Sequence, residues 1–175
     1  MEDNGKIRVG ITHGDINGVG YEVILKSFSD PAMLELCTPI VYGSPKVATY
    51  HRKAMDVQTS FTIINNVDDA QDGKLNILNC TEDELKVELT KATPEAGKAA
   101  LDALEKALQD YREGGIDVLV TAPINKHTIQ SDAFHFPGHT EYIEERVGNN
   151  RKALMILLKD DFRVALVTGH IPVKD

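Results

Sequence analysis

Four side chains in the second half of the chain have the types and settings that chemistry uses: Lys126, His139, Thr140 and His170. Lys126 follows a short apolar run at 116–120, rich in β-branched residues and read as a buried strand, through Thr121-Ala122-Pro123. A lysine is a compact point charge suited to phosphate or carboxylate. Loops beyond the carboxyl ends of strands are where open α/β sheets bind ligands. That position puts a binding role level with the usual fate of a solvated surface lysine. His139 and Thr140 lie in Pro137-Gly138-His139-Thr140-Glu141, where a helix should begin. Thr140 suits the N-cap, and a helix start offers N–H groups to an anion. The plainer alternative is a capping threonine beside a surface histidine. His170 follows an apolar run and Gly169. It could be a metal ligand, a base or an ordinary loop residue, and with no HxxxH spacing nearby the local sequence completes no metal site.

A glycine-rich stretch, His13 to Gly20, follows the first apolar run and precedes a helical pattern. Its glycines at 14, 18 and 20 do not make GxGxxG, and no GK[ST] follows, so neither nucleotide fingerprint is matched. A tight strand-to-helix turn with one or two glycines at positive φ is the leading reading. Asp15 and Glu22 fit a helix start as well as a functional role. His13, His51, His127 and His135 find no partner in sequence and are read as structural or surface residues.

Strands are expected at 7–12, 39–42 and 61–64, and a weaker one, read as an edge strand, at 75–79. Residues 65–74 read as loop and 87–91 as a short extended piece. Helices are expected at 21–28, from Pro45 to about Ala54 with Ser44 as N-cap, and from Pro94 after Thr93. This last helix has an apolar face at 96, 100, 103, 104, 107, 108 and 111 and a stop at Gly114. Short helices are expected at 125–132 and 140–147. The apolar runs 153–158 and 162–168 flank Asp160-Asp161, which makes either a tight hairpin or a bend. Strands alternating with helices imply an α/β protein with a largely parallel sheet and flanking helices. The composition weakens between 79 and 93, so the expected division is a first α/β segment at 1–86 and part of a second α/β domain at 87–175.

The chain has 175 residues, 42% hydrophobic and 26% charged, a composition that supports a packed core rather than disorder. A net charge of -8 and the lack of any basic run exclude an ordinary nucleic-acid surface. No apolar run approaches the roughly 20 residues of a membrane span. The polar start MEDNGK is unlike a secretory signal. Cys37 and Cys80 form no CxxC and read as reduced thiols, which fits a cytoplasmic protein.

Taken together, ITHGDINGVGYEV, VTAPINK, PGHTEYIEER and RVALVTGHIPVKD resemble, in order and spacing, the 4-hydroxythreonine-4-phosphate dehydrogenase family of pyridoxal 5'-phosphate biosynthesis. The resemblance implies a fold like that of isocitrate and isopropylmalate dehydrogenases. It implies an NAD- or NADP-dependent oxidation, with decarboxylation, of a phosphorylated hydroxy-amino acid, and a homodimer. It also implies a divalent metal (zinc, magnesium or cobalt) held by three histidines. By motif, His139 and Thr140 fall on the substrate-binding pair and His170 on the first metal ligand, with Lys126 a further candidate for an anionic end of the substrate. No catalytic base and no cofactor-binding residue is assigned. Ile16 and Tyr21 stand where many relatives have prolines, which leaves open a different four-carbon phosphorylated hydroxy acid as substrate. The chain reads as the N-terminal half of such an enzyme, inactive alone, the other reading being a silent binding or dimerisation fragment.

Overall fold

The computed structural model describes residues 6–81 and 84–168. It divides into two compact units, Met1–Pro137 and Gly138–Asp175. The boundary expected at 86/87 is therefore corrected. Residues 118–121 pair with the first strand of the chain, and that long-range pairing joins both sides of position 86 in one sheet.

In the first unit, β1 (Arg8–Thr12), β2 (Thr38–Gly43), β3 (Thr62–Ile64), β4 (Asn76–Asn79) and β5 (Val118–Thr121) form one parallel sheet in the order β3-β4-β2-β1-β5. Strand alternation sends successive side chains to opposite faces. Ile11, Val41 and Ile77 enter one apolar cluster with Ile24 and Leu25 of α1 (Gly20–Ser27) and Val47 and Ala48 of α3 (Pro45–Ala54). Ile40, Tyr42, Ile64 and Leu78 enter the other, with Ala103 and Ala107 of α4 (Pro94–Arg112). On this second side the Tyr42 hydroxyl donates to the buried Asp110 carboxylate at 2.8 Å, and Lys106 Nζ pairs with the same carboxylate at 2.7 Å.

The helix starts follow local chemistry. Ser44 accepts from the Val47 amide and Thr93 from the Ala96 amide, each with proline at the first helical position. Pro31 restarts the chain as α2 (Pro31–Leu36), capped by Asp30. Gly114 takes φ +78 just past α4.

Several expectations are corrected. The strand at 75–79 is β4, which lies inside the sheet between β3 and β2 and not at its edge. The strand after α4 is itself the edge strand, and Val118 and Val120 are exposed rather than buried. Residues 125–132 form a turn instead of a helix, because the Asn125 carboxamide takes the amides of His127 and Thr128. The short extended piece expected at 87–91 is interrupted at Thr90, which has φ +68 and donates its amide to Asn17 O. Within the loop at 65–74, Val67–Asp69 makes one 3-10 turn.

In the second unit, α5 (His139–Val147) is followed by an antiparallel hairpin of β6 (Ile156–Lys159) and β7 (Phe162–Ala165). Asp160, at φ +50, makes the tight turn between them.

Candidate functional site

The carboxyl ends of β1 and β5 bring two loops together. Gly14 has φ +70, and a Cβ there would overlap Pro123 O. The Asp15 amide donates to that same oxygen at 2.9 Å. A Cβ on Gly20 would overlap His13 O, and it would lie 3.3 Å from the Ala122 Cβ. Gly14 and Gly20 thus serve close backbone packing, and of the glycines in this loop only Gly14 uses positive φ.

His13 and His51 are buried, as structural histidines should be. His13 stacks on Tyr21 at 5.4 Å between ring centroids, and Tyr21 stacks on His51 at 5.5 Å. His13 Nε2 donates to Ala99 O at 3.1 Å in the neutral tautomer that suits this carbonyl, and His51 Nε2 meets Ile16 O at 2.8 Å. Burial lowers the His13 pKa to about 4, against a raising effect of the Ala99 hydrogen bond and with a smaller lowering from His51. Tyr21 is held by Ser44: its hydroxyl donates to Ser44 O and accepts from Ser44 N. Burial pushes that phenol well above its ordinary range.

Asn17 ties the same loop to the start of α4. Its Nδ2 donates to Lys91 O at 3.0 Å and to Thr93 Oγ1 at 3.3 Å, while its Oδ1 accepts from the Glu88 amide at 2.8 Å. Nothing in its spacing marked Asn17 beforehand; its partners lie more than seventy residues away.

Lys126 is exposed on the turn that follows β5. Asn125 organises this turn: its Oδ1 accepts from the His127 and Thr128 amides, and its carbonyl accepts from the Ile129 amide at 3.2 Å. Ile129 is buried beneath, and Gln130 Nε2 donates to Lys126 O at 3.2 Å and Phe136 O at 2.9 Å. His127 and His135 are exposed.

His139 and Thr140 belong to the second unit, so of the four sequence candidates only these two share a described unit. They are the first two residues of α5, with Gly138 at the N-cap. Thr140 is therefore not the cap, as expected from sequence; a glycine without a side chain is, and no side-chain cap bond forms there. His139 is half-buried and Thr140 exposed. Thr140 opens on a groove of about 380 Å³ lined by Ile143, Val147, Leu154 and Met155. Beside it, Glu144 accepts from Lys152 Nζ and from the Ala153 amide, both at 2.8 Å, and these bonds hold its carboxyl below the usual range.

His170 lies outside the described residues. Among the described residues no group of three or more His, Cys, Asp or Glu is placed to hold a metal ion. These residues do not complete a metal centre. Among them, too, no helix is long and apolar enough to cross a membrane.

Comparison with known proteins agrees with this architecture. The chain is 72% identical over all 175 residues to the 4-hydroxythreonine-4-phosphate dehydrogenase of Bacteroides thetaiotaomicron, covering 48% of that protein. It is 34% identical over 166 residues to an Oceanobacillus iheyensis protein provisionally named a D-threonate 4-phosphate dehydrogenase, covering 93% of this chain and 50% of that one. A crystal structure of a 4-hydroxythreonine-4-phosphate dehydrogenase from Burkholderia phymatum superposes with a TM-score of 0.84 at 28% identity, covering 98% of this chain and 52% of the other. The chain thus spans about half the length of the curated relatives it matches. The profile of the family described as "Pyridoxal phosphate biosynthetic protein PdxA" matches residues 35–175, and on this fold and these matches the chain belongs to that family.

Proposed function

We propose that this chain is the N-terminal half of a dehydrogenase that oxidises 4-hydroxythreonine 4-phosphate, with decarboxylation, in pyridoxal phosphate biosynthesis. The observation that carries this reading is 72% identity across every residue of the chain to a protein of that name. NAD or NADP is the proposed hydride acceptor, since the protein's part in such chemistry is to position the cofactor against the substrate. A divalent metal (zinc, magnesium or cobalt) is proposed with His170 as this segment's ligand. A homodimer in the cytoplasm is the proposed setting. Lys126 is assigned to an anionic end of the substrate through its exposed ammonium. His139 and Thr140 are assigned to substrate through the first turn of α5, where the helix dipole favours negative charge.

The likeness to the Oceanobacillus protein supports a second reading, in which the substrate is D-threonate 4-phosphate or a related four-carbon acid. One set of assays tests both. The 175-residue chain and a chain extended to the relatives' length are each given divalent metal, NAD or NADP and either phosphorylated acid, and nicotinamide absorbance is followed. Turnover of 4-hydroxythreonine 4-phosphate by the extended chain alone is expected. A clear preference for D-threonate 4-phosphate selects the second reading, and no turnover of either acid overturns both. Metal-dependent turnover by the 175-residue chain overturns its assignment as an inactive half.

A further inference from the structure

We propose that Gly97 is a positioning residue for Lys126. It provides the gap in α4 into which the turn at 126–129 seats, and so fixes where the lysine stands. The functional part of this proposal rests on the substrate-binding role assigned above to Lys126.

Gly97 is buried in the second turn of α4, within a run that includes Ala96, Ala99, Ala100 and Ala103. Alanine is the best helix former, and glycine in a helix costs about 1 kcal/mol relative to it. Gly97 does not have the positive φ that would call for glycine on conformational grounds. Space is the reason instead. A Cβ at position 97 would overlap the carbonyl group of Thr128 and would approach the Ile129 amide nitrogen to 2.9 Å. These are backbone atoms, so no side-chain rotation relieves the clash.

The turn that would have to move is stiff. Asn125 holds the amides of His127 and Thr128 through its carboxamide, and the Ile129 amide through its carbonyl. Ile129 is anchored in the interior, and Gln130 ties the Lys126 and Phe136 carbonyls together. A push on Thr128 therefore reaches Lys126 through three consecutive hydrogen-bonded residues. At the other end of the loop, Pro123 O is fixed by the Asp15 amide. The adjustment is thus confined to the turn, and misplacement of a binding group by about 1 Å is enough to cost substantial activity.

The test uses the protein at the full length of its relatives, as wild type, Gly97→Ala, Lys126→Ala and the double variant. Steady-state kinetics with the phosphorylated substrate are read together with amide hydrogen exchange over residues 122–130. Gly97→Ala is expected to speed exchange in that segment and to raise KM roughly tenfold with kcat within about twofold. The double variant is expected to be no worse than Lys126→Ala, because both changes remove one contact. Additive effects in the double variant, or an unchanged KM in Gly97→Ala, overturn the proposal. If Lys126→Ala itself leaves KM unchanged, the substrate role of Lys126 falls, and exchange alone decides on Gly97: faster exchange supports the seating contact and unchanged exchange overturns it. Should Gly97→Ala not fold, Asn125→Ala loosens the same turn without a clash and must show the same non-additivity with Lys126→Ala; additivity there is equally fatal.

Discussion

His13 is a neutral imidazole enclosed between Ala99 and Tyr21, and its Nδ1 is buried with no hydrogen-bond partner among the described residues. Protonation would place a charge where neither water nor a carboxylate receives it, which is why burial dominates the fall of its pKa to about 4. The unfolded chain binds the proton near 6.5 and the folded chain only near 4. Stability is therefore unaffected by His13 above pH 6.5 and is lost progressively as pH falls from there toward 4. At pH 5 the loss amounts to roughly 2 kcal/mol. Gln keeps an amide donor for Ala99 O and does not titrate. Urea unfolding at pH 7.5 and pH 5 should show His13→Gln losing about 2 kcal/mol less than wild type between the two. Equal losses would mean that His13 takes up its proton without penalty. Cys80 offers a second check at this scale. Burial first, then the Asp102 and Asp110 charges against Lys106, push its thiol up to about 12. At pH 8 it should react with iodoacetamide far more slowly than a free thiol in the unfolded chain, as mass mapping of Cys80 peptides would reveal.

Among the elements, α4 connects the two loops at the carboxyl edge, and its start depends on Asn17 as much as on its own cap. Replacing Thr93 with Ala removes the cap and should cost about 1 kcal/mol. Replacing Asn17 with Ala strands the Glu88 amide and the Lys91 carbonyl and also loosens Thr93, so its cost should be larger, about 2–3 kcal/mol. Chemical denaturation of the two variants checks the order, and an Asn17→Ala cost below that of Thr93→Ala would refute it. The contrast also shows what the sequence reveals. Ser44-Pro45 and Thr93-Pro94 carry their meaning within four residues, so α3 and α4 are readable in advance. Asn17 carries its meaning across seventy residues and is not. The same distance rule hid the interior place of β4 and the pairing of β5 with β1, which moves the unit boundary to Pro137. At the candidate site, motif and position are what single out Lys126, His139 and Thr140 as candidates, and their binding roles remain the proposal above. The turn around Lys126 departs from the helix its sequence suggests because a single carboxamide, Asn125, outcompetes helical bonding. Gly97 gave one faint signal, a glycine inside an alanine run, whose meaning depends on a turn thirty residues later.

At the scale of the whole molecule, the two units differ in how they meet the cost of ordering a chain. Met1–Pro137 has apolar clusters on both faces of its sheet. In Gly138–Asp175, Tyr142 is the large apolar side chain that is buried among the described residues, while Leu158 and Phe162 on the hairpin are 71% and 72% exposed. Leu154, Met155, Ile156 and Leu157 add to that exposed surface. Exposed apolar side chains on both faces of a two-stranded hairpin, which pairs with no further strand among the described residues, promote pairing between copies. The 175-residue chain on its own should therefore self-associate at about 100 µM, a concentration range in which exposed apolar surface and strand edges drive aggregation. Leu158→Lys with Phe162→Lys should suppress this, since both side chains lie in the hairpin and charge on exposed strands opposes edge pairing. Neither side chain belongs to the two apolar clusters of the first unit, so the denaturation midpoint of that unit should stay where it is. Light scattering and sedimentation on the two chains provide the comparison. A wild-type chain that is strictly monomeric under these conditions would show that the hairpin covers its own apolar surface in solution. Association that survives the double substitution would locate the sticky surface elsewhere, with the exposed Val118 and Val120 of the edge strand β5 the next to change.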